Sequence, residues 1–169
     1  MLEAFTAWLG KTPLSAFVAG QDWVVPTVQT VHILAISVVV AAVVILHLRV
    51  LGVIEQNQPI GVLARRFVAP SAVAIGVLAL TGLLMIAGEP NRALFRYVFW
   101  IKMALLALAL ALSGAMLRGL RGNAAWVDAA APPPPLYKGL AAGLLLVWVA
   151  IIVAGRWIGY AEGWPGSPS

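Results

Sequence analysis

Both histidines of this 169-residue chain, His32 and His47, lie in one strongly apolar stretch of sequence. In a helix, their separation of fifteen positions corresponds to ~22 Å along the axis and only ~60° of rotation. The two imidazoles would therefore share one face of the helix, one near each surface of a membrane. Neutral imidazole is a common axial ligand of haem iron, and histidines so placed on one helix are typical of membrane cytochromes b that hold two haems.

The number of ligands limits this haem hypothesis. Two six-coordinate haems need four axial ligands, and the chain contains two histidines. A homodimer could supply the others, with each haem on the two-fold axis between a histidine and its copy. Methionine is the alternative partner, because Met85 and Met103 are expected near the depth of His32 and Met116 near that of His47. Thioethers are also ligands for copper(I), although packing is the ordinary role of methionine in apolar helices.

Two cations, Lys102 and Arg156, also lie inside apolar stretches, where ionisable groups are functional candidates by default. Each is expected several residues inside its helix, near the depth of His32, so together they predict a cationic pocket. Haem propionates, a quinone head group or a lipid phosphate would suit such a pocket, because arginine offers a two-pronged donor and lysine a point charge. The alternative is that both side chains extend to the membrane surface, with Glu89 as a partner for one of them.

Each histidine also has a purely structural interpretation. A buried imidazole can be satisfied by a carbonyl of a neighbouring helix or by a hydroxyl, and Ser37, Thr81 and Ser113 are the candidates. His47 lies two residues from Arg49 and could reach lipid headgroups. Activity as an enzyme on its own is not expected, because the sequence has no Gly-x-Ser-x-Gly motif, no cysteine and no acidic residue well inside an apolar stretch.

The composition decides what kind of element must hold these residues. Hydrophobic residues make up 62% of the chain and charged residues 10%, against about half and about a quarter in soluble domains. A helix that crosses ~30 Å of hydrocarbon needs ~20 apolar residues. The net charge of +5 is scattered at the ends of apolar runs, without the basic, aromatic-rich stripe of a nucleic acid site. We therefore predict a protein that contacts the lipid bilayer and no nucleic acid.

The polar breaks predict an all-α bundle of four transmembrane helices, over residues 24–51, 67–88, 95–117 and 136–160. Residues 1–22 form an interfacial segment, because Gly10 and Gly20 end short amphipathic pieces that cannot cross. Residues 23–160 then form the transmembrane domain and residues 161–169 a flexible tail. A polar loop at 55–61, a tight turn at 89–91 and a stiff proline run at 132–135 connect the helices.

Small residues four positions apart predict where these helices touch. The pairs are Ala72 and Gly76, Ala111 and Ala115, and Gly139 and Gly143.

The distribution of basic residues predicts the orientation. The side that carries the two long loops has six of them, namely Arg49, Arg65, Arg66, Arg118, Arg121 and Lys138. The side that carries both termini has Lys11, Arg92 and Arg96, with Lys102 and Arg156 beneath it. By the positive-inside rule, the loops are expected in the cytoplasm and the termini in the periplasm.

Motif residues are spread along the chain: Trp23, Pro26, His32-Ile33-Leu34, Leu48 to Gly52, Arg65-Arg66 with Pro70, Thr81-Gly82-Leu83, Phe99 with Lys102, and Trp148 with Ala154 to Tyr160. In these residues the chain resembles an uncharacterised four-helix family of bacterial membrane proteins. The resemblance covers nearly the whole chain and implies the bacterial inner membrane but no activity. His32, Lys102 and Arg156 fall on motif positions, whereas the family usually has an acidic residue at the position of His47. The chain is also distantly similar to the copper-export membrane domain, which places a histidine early in an apolar helix.

Three functions fit these observations. The leading hypothesis is a small b-haem electron-transfer subunit, as a homodimer or within a larger complex. His32 is its axial ligand, and His47 is a second one if the protein holds two haems. The second is a non-catalytic accessory subunit that needs no cofactor and contacts a larger membrane complex through small-residue faces and its seven tryptophans. The third is a protein that handles copper or a small ligand through His32, Met85 and Met103.

Overall fold

The computed structural model describes residues 1–122, 132–158 and 160. These residues form seven helices, which are α1 Leu2–Leu9, α2 Pro13–Gly20, α3 Val24–Leu51, α4 Ile60–Gly88, α5 Pro90–Leu94, α6 Tyr97–Gly122 and α7 Pro135–Trp157. The four long helices α3, α4, α6 and α7 are each long and apolar enough to cross a membrane. The predicted all-α bundle of four transmembrane helices with a short N-terminal helix is confirmed. The predicted tail, residues 161–169, lies outside the described residues.

Helix α3, which carries both histidines, begins and ends at the predicted residues. Its end is fixed by Gly52, which has a φ of 79° in the left-handed region that glycine enters without a steric penalty. The N–H groups of Gly52 and Val53 donate to the carbonyls of Arg49 and Leu48, at 3.1 and 2.9 Å. These bonds satisfy carbonyls that the last turn would otherwise leave unpaired.

Helix α4 begins at Ile60, so the predicted loop to residue 61 and helix start at residue 67 were wrong. The first turns are apolar on one side, and Ile60 and Leu63 are buried against the bundle. Arg65 and Arg66 are exposed on the opposite surface of the same helix. Pro70 therefore lies inside the helix rather than in its first turn. The predicted start was too late because the polar residues before residue 67 were assigned to a loop. An amphipathic turn can continue a membrane helix beyond the hydrocarbon.

The ends of the other helices differ less from the predicted ones. Helix α6 starts at Tyr97 and continues to Gly122, beyond the predicted end at residue 117, and α7 covers Pro135–Trp157 instead of residues 136–160. The predicted tight turn at 89–91 is instead a break at Glu89, after which the short helix α5 begins at Pro90. Pro134 has φ −56° and ψ 148°, which is the extended conformation expected of the proline run.

Helix α3 is the centre of the bundle. It packs against α4 on one side and α7 on the other, and α7 packs against α6. No comparable packing joins α4 to α6 within the described residues, so the four helices form an arc that is open between α4 and α6. The core along this arc contains Val39, Val50, Ala109, Ala141, Leu144 and Trp148.

The predicted small-residue contacts were wrong. All six residues of those pairs are exposed, and a side chain added at Gly76, Gly139 or Gly143 would meet no atom within 4 Å. The close contacts between helices are made by other small residues, among them Ala109 and Ala141, which are fully buried. The spacing of four identifies residues on one face of a helix without saying which face is inward.

The two N-terminal helices form as predicted and lie at the terminal end of the bundle. Helix α2 packs mainly on α4, and α1 packs on α5. Val18 of α2 and Thr6 of α1 are buried, whereas the predicted apolar face of α1, with Leu2, Phe5 and Trp8, is exposed. That exposed face is the one available for contact with lipid.

The contact between α2 and α4 gives a first prediction. A Cβ at Gly88 would lie 2.7 Å from Cγ1 of the buried, branched side chain of Val18, so Gly88→Ala is expected to lower the free energy of unfolding by about 1–3 kcal/mol. Thermal unfolding in detergent measures this change. Gly76→Ala, in the same helix with open space around it, is the control and is expected to be neutral or up to about 1 kcal/mol stabilising. Equal stability of the two variants would contradict the packing of α2 on α4.

Candidate functional site

The four spanning helices each contribute a residue to one site near the terminal end of the bundle. His32 lies on α3, and its Nδ1 atom is 2.6 Å from Oγ1 of Thr81 on α4. Gly82, the next residue of α4, faces the ring, since a Cβ there would lie 3.9 Å from Cε1 of His32. Lys102 of α6 lies against Gly155 of α7, at the same end of the bundle as His32. Of the three hydroxyls proposed as partners of a histidine, the structure selects Thr81 for His32.

The hydrogen bonds of Thr81 decide which nitrogen of His32 carries the proton. The Thr81 hydroxyl donates to the carbonyl of Val77 at 2.7 Å, with a longer contact of 3.3 Å to Leu78. A hydroxyl has one proton, so towards His32 it can only accept. Nδ1 of His32 is therefore the donor, and in the neutral ring Nε2 carries a lone pair. The His32 ring makes no other hydrogen bond within the described part of the chain.

Lys102 lies in the second turn of α6, and the end of its side chain lies against Gly155 of α7. A Cβ at Gly155 would be 3.6 Å from both Cε and Nζ of Lys102. The Nζ atom has no hydrogen bond or ion pair to any described residue. Glu89, the expected partner for one of the two cations, is exposed and bonds instead to Arg92 at 2.9 Å. The ammonium group is thus a partly buried donor without a partner among the described residues, at the same end of the bundle as His32.

Arg156 does not join Lys102 in one pocket. Its side chain is exposed, its Nη2 atom donates to the hydroxyl of Tyr160 at 2.7 Å, and its guanidinium lies 4.9 Å from the centre of that ring. This is a cation–π contact at the end of α7. The predicted cationic pocket therefore consists of Lys102 alone, with Arg156 turned outward from the adjacent position.

The two methionines proposed as ligands are near the level of the site along their helices. Met85 follows Thr81 by one turn of α4, and Met103 follows Lys102 in α6, and both side chains are partly buried. No group of three or more His, Asp or Glu side chains that could hold a metal occurs among the described residues. A metal at this site would consequently depend on His32 and thioether sulfurs.

His47 lies at the opposite end of α3 and is not part of this site. Its Nδ1 donates to the carbonyl of Val43 at 2.6 Å, within the same helix. The residue is only 5% exposed, and its Nε2 atom is buried without a hydrogen bond partner. The suggestion that His47 reaches lipid headgroups is therefore wrong. Met116, its proposed companion, is also buried.

Two arginines have roles that the sequence did not indicate. Arg49 is 2% exposed, and it donates from Nε to the carbonyl of Gln58 at 2.9 Å and from Nη2 to that of Gln56 at 3.3 Å. Arg96 is also buried, and its Nη1 atom donates to the carbonyl of Ile158 after the end of α7. Both had been counted as topology signals. The one available signal was the position of Arg49 in the last turn before Gly52, where basic residues often bind free carbonyls.

The site at His32 offers a lone pair and an ammonium group in otherwise apolar surroundings. The lone pair of Nε2 can bind a metal or accept a proton from a ligand. The ammonium of Lys102 can donate to an anionic or carbonyl oxygen. Together they are complementary to an amphipathic molecule that carries both kinds of group.

Comparison with known proteins places the chain in a family. A sequence profile of a family of unknown function, DUF6644, matches residues 4–161. No match was found among curated proteins or among solved structures. The distant similarity to the copper-export membrane domain stays a prediction. Since the match runs from the first helix to beyond the last one, the protein belongs to DUF6644, a family of unknown function.

Proposed function

We propose that the protein is a small membrane subunit that binds one b-type haem through Nε2 of His32 and carries electrons with it. The observation that carries this proposal is the hydrogen bond between His32 and Thr81. Histidines that bind metals usually donate their other ring N–H to a neighbouring group, which fixes the tautomer and the orientation of the ring. Thr81 is such a group, and it is itself oriented by the carbonyl of Val77.

The surroundings of His32 fit a haem. Gly82 presents no side chain to the edge of the ring, and the bundle is open between α4 and α6, the helices that carry Thr81 and Lys102. Lys102 supplies a cation for a propionate. When bound, the haem supplies one-electron chemistry. Met85 or Met103, or His32 of a second copy in a homodimer, would complete the axial ligands.

One haem site fits the structure better than two. His47 resembles His32 in having Nδ1 occupied as a donor and Nε2 without a partner. Its donor bond is to its own helix, however, and it is far more buried than His32. Arg49, the buried cation near its end of α3, already binds loop carbonyls. We therefore assign the haem to His32 alone.

An absorption spectrum tests the proposal. The full chain is expressed with added haem precursor and purified in a mild detergent, and haem is counted as its pyridine complex. We expect a Soret band and about one haem per chain, or one per two chains if His32 of a second copy is the other ligand. Absence of a Soret band would overturn the proposal. Metal analysis of the same sample tests the copper alternative, which requires copper that is lost on His32→Ala.

The exposed tryptophans do not favour the accessory-subunit alternative. Trp8, Trp23, Trp100 and Trp157 are exposed, and all lie at the terminal end of the spanning helices. Tryptophan is typical of that position because its amphipathic ring binds at the membrane surface. The accessory role would become the best remaining hypothesis if neither haem nor copper copurified and a stoichiometric partner did.

We also propose that the termini face the periplasm of a bacterial inner membrane. The support is the excess of basic residues on the side with the two long loops. A reporter that is active only outside the cytoplasm should be active when fused after Ser169 and inactive when inserted at Gln56. The reverse pattern would overturn the count of basic residues as a guide to the orientation of this protein.

A further inference from the structure

We infer that Lys102 and Gly155 form a binding site, inside the membrane, for the carboxylate or phosphate of an amphipathic anion. The inference rests on the proposed function in that a haem propionate is the anion expected there. It adds the chemical class of ligand that Lys102 selects, which the position of His32 alone does not determine.

The first reason is that the charge of Lys102 has no counter-ion among the residues that the structure describes. Its ammonium makes no hydrogen bond or ion pair with a described residue, and α3, α4, α6 and α7 contain no Asp or Glu. Glu89 is bound to Arg92. A cation inside a membrane helix is costly unless it is paired. We infer that this partner is a ligand from outside the chain.

The second reason is the path of the side chain. The Cε and Nζ atoms of Lys102 lie where a side chain at position 155 would touch them, at 3.6 Å from a Cβ built there. The lysine therefore reaches from α6 to the bare backbone of α7. A side chain larger than that of alanine at position 155 would therefore compete with Lys102 for this space.

The third reason is the class of ligand that this position allows. Arg156, the neighbouring cation, binds Tyr160, so Lys102 offers a single point charge rather than a two-pronged donor. The site lies within the apolar spans, and the bundle is open on the side between α4 and α6. A membrane-soluble molecule that places one anionic oxygen group against Lys102 fits this combination.

Iron-free protoporphyrin IX, which has two carboxylates and no metal, separates this inference from the haem proposal. It is titrated by fluorescence into the full chain in nanodiscs of phosphatidylcholine, beside its uncharged dimethyl ester. We expect Lys102→Met to weaken binding of the diacid about tenfold or more, because a charge-assisted hydrogen bond is lost. Binding of the ester should be the same in both chains. Lys138→Met, at the other end of the bundle, is the matched control and should bind the diacid normally.

A pair of variants at Gly155 tests the path of Lys102. Gly155→Ala places its Cβ in ordinary contact with the lysine and should retain binding of the diacid. Gly155→Leu occupies the space of the lysine side chain and should weaken binding as much as Lys102→Met does. Equal, unchanged binding by Lys102→Met and Gly155→Leu would overturn the inference.

Competition identifies the source of the anion. Displacement of the diacid by stearate would assign the site to a fatty-acid carboxylate. Binding that is weaker in nanodiscs of phosphatidylglycerol for the wild type, but not for Lys102→Met, would assign it to a lipid phosphate. Displacement by neither would leave the porphyrin propionate. Failure of the wild type to bind either the diacid or stearate would also overturn the inference. If the diacid binds through Lys102 but haem gives no Soret band, the haem proposal fails while this site stands.

Discussion

Replacing His32 with alanine is expected to abolish haem binding, whereas replacing His47 with alanine should leave the haem content unchanged. The reason is that His32 is partly buried and is oriented by Thr81 of a neighbouring helix, whereas His47 is buried and bonds to its own helix. Haem content per chain, measured as the pyridine complex after identical purification, gives the result directly. A two-haem carrier would instead lose about half of its haem in each variant, because two sites ~22 Å apart act independently.

Variants of Thr81 test whether this residue orients the ring of His32. Thr81→Val keeps the shape of the residue and removes the acceptor for Nδ1–H of His32, so haem affinity should fall by about tenfold or more. Thr81→Ser keeps the hydroxyl and should retain the affinity of the wild type. If His32→Ala retains haem, or if the valine and serine variants bind it equally well, the ligand assignment is wrong.

The sequence allowed the existence of the four spanning helices to be predicted, because an apolar stretch of ~20 residues has few other stable environments. Helix α3 was predicted to the residue, since Trp23 and Gly52 mark abrupt changes at both ends. The start of α4 was missed because the sequence alone does not show that Ile60 and Leu63 are buried against the bundle. Helix ends are set by tertiary packing as much as by local polarity.

The candidate site was only partly predictable. His32 and Lys102 were identified because ionisable residues are rare in membrane helices, and Thr81 was one of three candidate partners. The sequence could not indicate that Arg156 turns outward to Tyr160, because the direction of a long side chain depends on its neighbours. The positions of Gly82 and Gly155 against His32 and Lys102 likewise follow from how the helices are rotated, which the periodicity of four largely apolar helices leaves undetermined.

A large effect on stability is expected at Arg49. Its guanidinium is buried and bonds to the carbonyls of Gln56 and Gln58, which hold the loop between α3 and α4 against the end of α3. In Arg49→Ala these carbonyls lose their donors and the buried space is left unfilled. We expect the free energy of unfolding to fall by about 2–4 kcal/mol, measured as thermal unfolding in detergent. The stability of Arg49→Lys should fall between those of the wild type and Arg49→Ala, since lysine cannot reach two carbonyls in the same fixed geometry.

Arg66 is the matched control, because it is exposed and makes no hydrogen bond within the described part of the chain. It lies on the same side of the bundle as Arg49, so the two alanine variants remove the same charge from the same side. Arg66→Ala should change stability by no more than about 0.5 kcal/mol. If both variants lose equal stability, Arg49 acts through its charge and the loop does not depend on its hydrogen bonds. If Arg49→Ala alone is unstable while a reporter at Gln56 keeps its orientation, then Arg49 stabilises the loop rather than setting the topology.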